Sequence, residues 1–490
     1  MKKTYLIAGS ACAILLAYPI SAYVFGNTVE NKFNLVQEKL KAQNIPGLKV
    51  IKKRKKKGIF GAVEQVEYEI DLSMGGNDPA SKINVATHTT ISHGPLPDFS
   101  SVGGAKIHSK FMLSGEVTEK VLKDLNLASA TPFLTTETLI NFDGSSTSKF
   151  NSPAVKIDSK NIQKAKDPNS TEPEHAFLLD WQGLSGTAQL TKDMNDIRLQ
   201  ITFPGLNITS TSSDPSENFT STLGTSTIEV KQKLVSLQNT QNDSLSVGKS
   251  SLVVDHLDIK LADGDEIKLG KLNVSTDTPI KDGFVDINFN SSLEKLGFKN
   301  IELGPIRYDY GLRHLQVQAF ATAVKEYQTL ALNTIQNPNE MYKPGPELIE
   351  SLKKLGSEAP EYHIDRISLA TEKGGEAFAN LHLKLAKINI DEIITKGMKA
   401  QSELLGKISL TAEVNVPESL IADLNEKLAK ANDEAPTSQQ ALEQGYQMIT
   451  MGDYVTRSNG VFSSKLKLEN SKLSANEKEI PLSALLSNFF

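Results

Sequence analysis

Apolar and polar residues alternate along much of the chain between residues 250 and 385. Residues 251–261 partly follow this pattern, residues 262–265 (ADGD) have turn composition, and a second alternating run returns from Ile267 to Val274. Residues 364–369 and 379–385 repeat the arrangement around Gly374-Gly375. Neighbouring side chains point to opposite sides of a strand, so each run has one apolar face. The short turns between runs predict an antiparallel sheet.

Helical periodicity provides elements that can cover part of this apolar face. The predicted helices concentrate in the C-terminal half of the chain. We therefore predict an α+β fold: a large curved antiparallel β-sheet with packed helices, plus one N-terminal transmembrane helix. The helical segments are residues 116–127, 316–335, 346–355, 390–405, 417–430 and 438–452.

Two stretches rich in serine and threonine interrupt the alternating pattern. Residues 143–152 and 209–227 contain few large apolar side chains. We interpret both as loops or polar edge strands. No clear repeat period is found, although Gly94-Pro95 and Gly304-Pro305 both follow a strand-like run.

The N-terminus has the pattern of an uncleaved membrane anchor. Lys2 and Lys3 precede residues 5–25, which carry no charge and span about 31 Å as a helix. A cleaved signal peptide ending near Ser21-Ala22 and a lipoprotein signal at Cys12 remain alternatives. The two lysines predict a cytoplasmic N-terminus, with the rest of the chain on the far side of the bacterial inner membrane, in the periplasm.

The residues that follow the anchor combine a short apolar stripe with a run of cations. Val29, Phe33, Val36 and Leu40 fall at heptad spacing, which suits a helix packed on its own domain or a dimer contact. The expected organisation is 1–25 anchor, 26–57 membrane-proximal helix and basic segment, and 58–490 periplasmic β-rich domain. The basic segment either contacts anionic lipid or is a solvated strand or turn; its cations are Lys52, Lys53, Arg54, Lys55, Lys56 and Lys57.

Charge and cysteine content exclude several classes of function. Residues 1–57 carry a net charge of +10, so the remainder carries −15 within a total of −5. An acidic body argues against nucleic acid as a partner. The only cysteine, Cys12, lies in the apolar N-terminal run, so the body has neither a disulfide nor a cysteine metal site.

Standard catalytic motifs fail a spacing check. The eight histidines form no His-Glu-x-x-His motif, and His88 and His93 are a poor ligand pair on a strand because their odd spacing places them on opposite faces. Residues 264–271 do not match a phosphate-binding loop, and residues 183–186 do not match a nucleophile elbow. We therefore predict no catalytic residue, no metal site and no cofactor.

Several short motifs occur in an order that resembles the YdgA-like family of bacterial proteins of unknown function. They are the anchor with its basic segment, His93-Gly94-Pro95-Leu96, residues 181–186 (WQGLSG), Gly304-Pro305 with residues 312–315 (LRHL), and residues 463–482. The resemblance implies an inner-membrane-anchored periplasmic protein and carries over no catalytic residue. The motif positions of unknown role are His93, Gly94, Pro95, Trp181, Gly183, Gly186, Gly304 and Pro305. A structural role is the favoured interpretation of His93 and Trp181.

The leading functional hypothesis is a non-enzymatic binding or structural component of the cell envelope, with lipid held in a groove of the sheet as its specific form. An uncovered apolar sheet face with polar rims is the feature that would favour lipid. The alternative is an envelope hydrolase acting on cell-wall or lipid substrates. The inner membrane is the expected partner, and a homodimer, lipid and an envelope protein remain open as further partners.

Overall fold

A computed structural model describes most of the chain after residue 47. The described residues are 48–58, 61–71, 82–93, 97–115, 131–159, 175–193, 195–236, 244–299, 301–336, 345–387, 406–452 and 454–481 of 490. The chain divides into two compact units. Unit 1 comprises Met1–Val235 and Thr329–Lys343, and unit 2 comprises Ser236–Gln328 and Pro344–Phe490.

Thirteen strands are described in the first part of the chain. They are β1 Leu48–Gly58, β2 Gly61–Asp71, β3 Lys82–His93, β4 Ala105–Ser114, β5 Leu134–Ile140, β6 Ser146–Ser152, β7 Val155–Asp158, β8 His175–Trp181, β9 Leu184–Leu190, β10 Asp196–Phe203, β11 Leu206–Ser212, β12 Phe219–Leu223 and β13 Ser226–Ser236. Short 3-10 turns lie at Pro97–Phe99 and Pro215–Glu217.

In unit 1 most of these strands form part of one large antiparallel sheet. Strands β1 to β6 pair in sequence order, β6 pairs with β9, and β9 and β13 flank β10. Strands β7, β8, β11 and β12 pair in that order in a second, smaller sheet. Alternating burial along β3, β4, β6 and β9 shows that one side of the large sheet is buried and the other faces solvent.

The buried side of unit 1 is a packed core in which hydroxyl pairs interrupt the apolar side chains. Phe111, Leu134 and Phe150 belong to an apolar cluster in which every core member is less than 9% exposed. Thr89 and Ser109 share a buried hydrogen bond of 2.9 Å, and Thr138 and Ser148 share another of 2.8 Å. Each hydroxyl group therefore has a partner without water, which allows it to lie in the core.

Unit 2 contains sixteen described strands and four described helices. The strands are β14 Ser244–Val254, β15 Leu257–Leu261, β16 Glu266–Leu269, β17 Leu272–Asp277, β18 Ile280–Lys281, β19 Phe284–Leu293, β20 Leu296–Phe298, β21 Ile301–Leu303, β22 Ile306–Gln316, β23 Glu361–Thr371, β24 Gly375–Leu385, β25 Ile408–Pro417, β26 Thr456–Ser458, β27 Val461–Glu469, β28 Lys472–Ala475 and β29 Lys478–Ile480. The helices are α1 Val317–Gln336, which belongs to unit 2 up to Gln328, α2 Pro346–Ser357, α3 Glu418–Ala431 and α4 Gln439–Thr450.

The large sheet of unit 2 is also antiparallel. Its order is β14, β17, β19, β22, β23, β24, β25, β27, β28, β29, with β18 beside β19 and β26 beside β27. Strands β15, β16, β20 and β21 pair in that order in the smaller sheet. Helix α3 contacts β21, where Lys427 donates a hydrogen bond of 3.1 Å to the Glu302 carbonyl oxygen.

Strands pass from the large sheet to the small sheet through breaks of two residues. In unit 1 the breaks are Pro153-Ala154, Gln182-Gly183, Pro204-Gly205 and Gly224-Thr225; in unit 2 they are Asp255-His256, Gly270-Lys271, Glu294-Lys295 and Gly304-Pro305. Pairing keeps its register through the break, since Leu269 faces Leu296 on one side and Leu272 faces Leu293 on the other. The amide of Gly270 also donates to the Lys295 carbonyl oxygen at 2.7 Å within the break. Each pair of strands is therefore one continuous ladder shared by two sheets.

Several predicted elements are confirmed and two are corrected. The hairpin around Gly374-Gly375 is β23–β24, and the four C-terminal helical segments other than residues 390–405 match α1 to α4. Residues 251–261 are not one strand, because Asp255-His256 separates β14 from β15. Residues 143–152 contain β6, which is paired on both sides rather than at an edge.

The described fold is mostly β, with large antiparallel sheets and few helices, so it is less helical than the α+β prediction. The expected anchor at 1–25, the heptad helix after it and the helical segments 116–127 and 390–405 lie outside the described residues. None of the helices that the structure describes is both long enough and apolar enough to cross a bilayer.

Candidate apolar binding face

One face of the large sheet in unit 2 is apolar from β14 to β25. Direct cross-strand pairs define it: Phe289 faces Tyr310, Tyr308 faces Ile367, and Leu381 faces Ala412. We call this surface the apolar face. Its members are Leu252, Val254, Leu272, Val274, Ile287, Phe289, Leu293, Ile306, Tyr308, Tyr310, Leu312, Tyr362, Ile364, Ile367, Leu369, Ala379, Leu381, Leu383, Leu410, Ala412 and Val414.

The apolar face differs from a protein core because it keeps contact with solvent. None of these side chains is fully buried; burial begins at the end of the face, where Val285 and Leu315 pair beside Ile287 and Leu312 and are 1% and 5% exposed. Ile367 is 43% exposed, Val414 39% and Leu312 37%. Exposed apolar side chains scattered singly are ordinary on a protein surface, whereas a contiguous apolar patch marks a binding surface.

Aromatic rings form the centre of the apolar face. The Tyr308 and Tyr310 ring centroids are 4.9 Å apart at an interplanar angle of 28°, and the Phe289 and Tyr310 centroids are 4.8 Å apart. The two tyrosine rings stack along β22, and the Phe289 ring packs across from β19 with a tilt of 37° to Tyr310. A ring held in this way offers a rigid, weakly polar surface to an apolar ligand.

The opposite face of the same sheet is polar and its charges are paired. Arg366 donates to Glu376 at 2.6 Å, and Lys384 lies 2.5 Å from Glu361, where this hydrogen bond holds the pKa of the Glu361 carboxyl below its usual range. Burial raises the pKa of the Asp309 carboxyl despite the nearby Arg307. The two faces therefore differ sharply in chemistry, and only one of them is suited to hydrocarbon.

Helices α3 and α4 lie at the margin of the apolar face. Tyr446 of α4 packs on Phe462 of β27 with ring centroids 5.0 Å apart, and Phe462 is 5% exposed beside Val416. Helix α3 instead packs at the turn between β23 and β24, where Ser419 donates to the Gly374 carbonyl oxygen at 2.7 Å. The central strands β19 to β24 thus retain their exposed apolar side chains.

The apolar character continues into the small sheet of unit 2. Leu257 pairs with Leu269, Leu269 with Leu296, and Leu296 with Leu303. Apolar residues flank all four breaks of this unit: Val254 and Leu257, Leu269 and Leu272, Leu293 and Leu296, Leu303 and Ile306. Two apolar residues separated by two others therefore mark each break in the sequence. This spacing matches neither the period of a strand nor that of a helix, so a search for those two periods does not detect it.

Trp181 and Gly183 lie at a break in unit 1. The Trp181 indole nitrogen donates to the Ser152 hydroxyl at 3.3 Å, and its ring lies 4.6 Å from that of Phe203. Trp181 is in the small sheet, whereas Ser152 and Phe203 are in the large one, so the indole joins the two sheets. Gly183 has φ +90° and a Cβ there would lie 2.8 Å from the Ser152 carbonyl oxygen. Both residues therefore form part of the bend, and Gly186 follows on β9 opposite Phe150.

Gly304 and Pro305 form the corresponding break in unit 2. Gly304 has φ +135°, and a Cβ there would lie 2.4 Å from the Glu294 carbonyl oxygen. The Gly304 amide donates to the Ala370 carbonyl oxygen at 2.7 Å, which aligns β22 with β23. Trp181 and Gly183 thus lie at a break in unit 1, and Gly304 and Pro305 lie at a break in unit 2. The structure does not bring these four motif residues to one common site.

The remaining motif, residues 312–315, borders a shallow cleft of about 300 Å³. The His314 amide donates to Asp286 at 2.9 Å, its Nδ1 atom lies 2.7 Å from the Glu358 carbonyl oxygen, and its ring stacks on Phe284. Arg313, Lys384, Asp286 and Glu361 line the cleft with balanced charge. It therefore has no evident preference for an ion of either sign.

His93 and the basic segment lie in unit 1. His93 ends β3 opposite Ala105, while Gly94 and Pro95 lie outside the described residues. The basic segment is part of β1, where Lys53 lies 2.9 Å from the buried Glu64 and Lys52, Arg54 and Lys56 are exposed. Contact with anionic lipid stays a prediction. Among the described residues, no group of three His, Cys, Asp or Glu side chains is arranged to hold a metal ion.

Fold and face together define a β-rich protein that presents a broad apolar sheet surface and carries no described metal centre. The chain belongs to a family described as bacterial protein of unknown function (DUF945), whose model matches residues 1–483. A comparison with curated proteins found no match.

Proposed function

We propose that this protein binds the acyl chains of a membrane lipid on the apolar face of unit 2. The single observation that supports the proposal is the continuity of that face across seven strands without full burial of any member. Hydrocarbon is the ligand class that such a surface favours. Transfer of each methylene group from water contributes about 0.8 kcal/mol.

The dimensions of the apolar face suit this ligand. Six strand spacings of about 4.8 Å give a width of about 29 Å, and four alternate residues along a strand give a length of about 20 Å. A bilayer core is about 30 Å thick, so the chains of one leaflet extend about 15 Å. More than one acyl chain fits on the face, with the polar headgroup left at its rim.

The location of the protein forms part of the same proposal. The uncharged residues 5–25 after Lys2 and Lys3 support an inner-membrane anchor with the body in the periplasm. The YdgA-like motifs support the same placement. A lipid-binding surface held close to a membrane would receive its ligand from that membrane.

Lipid retention by face variants tests the proposal. The full-length protein is purified, and its bound phospholipids are extracted and quantified by mass spectrometry. A carboxylate at Ile367 or Leu312 opposes hydrocarbon because burial of an unpaired charge is strongly unfavourable. We expect Ile367→Glu and Leu312→Glu to reduce the lipid retained per protein severalfold.

Leu428→Glu provides the matched control, since Leu428 is 52% exposed on α3 and lies outside the apolar face. This variant should leave lipid retention unchanged. Because it keeps the N-terminal segment, as the two face variants do, lipid held by that segment is the same in every sample. Hydrogen exchange of β23 verifies that the variants remain folded. Equal retention by all four proteins would overturn the proposal.

A further inference from the structure

Among the residues that the structure describes, three of the most exposed large apolar side chains lie in unit 1. Phe99 is 93% exposed, Val102 66% and Phe142 66%. They belong to two connections, residues 97–104 before β4 and the turn between β5 and β6. The apolar face in unit 2 includes none of them, so they need a separate explanation.

Strand register places both connections at one end of the large sheet. Ala105 at the start of β4 pairs with Ile140 at the end of β5, and Ile140 pairs with Ser146. The Gly104 amide donates to the Ile140 carbonyl oxygen at 2.8 Å, so the ladder extends beyond the strand end. Val102 precedes this contact by two residues and Phe142 follows it by two. The three side chains therefore project from neighbouring loops.

Hydrogen bonds hold the first connection in place. Asp98 accepts from the Ser100 amide at 3.2 Å and lies 3.0 Å from the Lys106 ammonium group. The hydrogen bond from the Ser100 side chain, followed by that from Lys106, lowers the pKa of the Asp98 carboxyl. Phe99 itself has φ +56°, an uncommon conformation for a bulky residue. Its ring is thus directed to solvent by a turn whose polar groups have partners.

The second connection is organised in the same way. The Gly144 amide donates to the Asn141 carbonyl oxygen at 3.0 Å, and Asp143 accepts from the Ser145 amide at 2.9 Å. The turn is closed by its own backbone, and Phe142 takes no part in these bonds. Both loops therefore present apolar rings on fixed polar supports.

Basic side chains lie at the same end of the sheet. Gly61 pairs with Gly58 and with Ser92, which brings the end of β1 and its exposed Lys56 to this side. Lys192 lies beside Gly144, with 3.8 Å between its Cβ atom and the ideal Cβ position of that glycine. Carboxylates lie there too, because exposed Asp98 and Asp143 adjoin the two phenylalanines. Exposed aromatic side chains with lysines nearby suit a bilayer interface, where rings enter the acyl region and ammonium groups meet phosphates.

The exposed area favours a bilayer over a protein partner. Two phenylalanines and one valine at these exposures offer roughly 400 Å², about half of the 800 Å² per partner that a stable protein interface buries. Projecting side chains on separate loops also lack the flat continuous surface of such an interface. A bilayer requires neither a large contact area nor a flat surface, because each ring is inserted independently.

We infer that this end of unit 1, formed by Phe99, Val102 and Phe142, inserts into the interface of a phospholipid bilayer. The contact is separate from the apolar face and from the N-terminal segment. It holds unit 1 against the membrane surface in addition to any anchor.

Depth-dependent fluorescence quenching tests the inference on the full-length protein. Phe99→Trp and Phe142→Trp are reconstituted in vesicles of phosphatidylethanolamine and phosphatidylglycerol, with and without bromine atoms on the upper acyl chain. Trp181 is the only native tryptophan, so the wild-type protein supplies the background. We expect bromolipid to reduce the fluorescence from positions 99 and 142 at least about twofold, as for rings inserted at an interface.

Tyr327→Trp is the matched control, since Tyr327 is 65% exposed on α1. This variant is measured in the same vesicles. Its fluorescence should respond to aqueous iodide and not to bromolipid. The inference is overturned if the probes at 99 and 142 behave like this control. It is also overturned if iodide and bromolipid both fail to quench them, since that result indicates a protein partner or a second copy of the chain.

Discussion

The two units contain the same kind of sheet but differ in how far the apolar side of that sheet is buried. In unit 1 Phe150 and Leu134 are 4% and 2% exposed, whereas in unit 2 the corresponding centre of the apolar face leaves Ile367 43% exposed. Unit 1 also mixes hydroxyl pairs such as Thr89 and Ser109 into its buried side. Alternation of polar and apolar residues thus produces a core on the large sheet of unit 1 and an accessible surface over the central strands of unit 2.

This difference shows where each unit obtains its stability. A side chain packed on all sides contributes through dispersion and removal from water, and its loss leaves a cavity. A half-exposed side chain contributes less to folding and remains available for a ligand. Unit 1 accordingly buries the apolar side of its large sheet, whereas unit 2 buries Val285, Leu315 and Leu420 and leaves the centre of its apolar face accessible.

The largest expected effect comes from truncating matched phenylalanines. Phe150→Ala should lower the free energy of unfolding of unit 1 by about 3–5 kcal/mol, because it opens a cavity in a packed core. Phe289→Ala on the apolar face should cost about 1 kcal/mol. Trp181 fluorescence in urea reports on unit 1, and hydrogen exchange of β19 and β22 reports on unit 2. Equal losses would remove the distinction between the two units.

Glycine substitutions test the break in unit 1. Gly183→Ala combines φ +90° with a contact of 2.8 Å to a carbonyl oxygen, and we expect a loss of about 2–3 kcal/mol. Gly144→Ala has nearly the same φ, +86°, but its nearest neighbour is a flexible side chain at 3.8 Å. It should cost about 1 kcal/mol. If urea unfolding followed by Trp181 gives similar losses for both, the break does not restrict the chain as described.

An acid transition should affect helix α3 of unit 2. Burial raises the pKa of the Asp423 carboxyl, but the hydrogen bonds that it accepts from Lys427 and Thr371 outweigh this effect, so the pKa lies below its ordinary value. A lowered pKa in the folded state stabilises the protein above the unfolded pKa near 3.9, and the contribution is lost as the pH falls through the folded value. We expect α3 to lose about 1–2 kcal/mol of hydrogen-exchange protection below about pH 4.

Asp423→Asn is the control for this transition. It removes the titrating group, so protection of α3 should be lower at neutral pH and nearly independent of pH through the acid range. A variant that still shows the wild-type acid transition would assign that transition to another group.

Part of this architecture could be predicted from the sequence. The hairpin of β23 and β24 and helices α1 to α4 have clear period-two or helical patterns, and both follow from local chemistry. The breaks could not be predicted in the same way. Val254-Asp255-His256-Leu257 reads as an irregular part of one strand, and only pairing with a neighbouring ladder shows that the chain enters a second sheet there.

The candidate site was only partly accessible to sequence reasoning. Alternation predicts that an apolar face exists, but Phe150 and Phe289 lie in similar local patterns and differ in burial because of contacts distant in sequence. The polar strand β6 is misleading for the same reason. Ser148 can lie in the core because its hydroxyl has a partner in Thr138 on the neighbouring strand. The glycines of the motifs were recognisable, yet their role depends on close backbone contacts.

Lipid crosslinking compares the two units most directly. A photoreactive amino acid is placed at Ile367 on the apolar face and, separately, at Leu113, which packs against the core cluster of unit 1. Bacteria expressing each full-length protein are irradiated, and adducts are identified by mass spectrometry. If the apolar face binds acyl chains, phospholipid adducts should form at position 367 and none should form at position 113. Absence of lipid at both positions, or equal labelling of both, would contradict lipid binding on the apolar face.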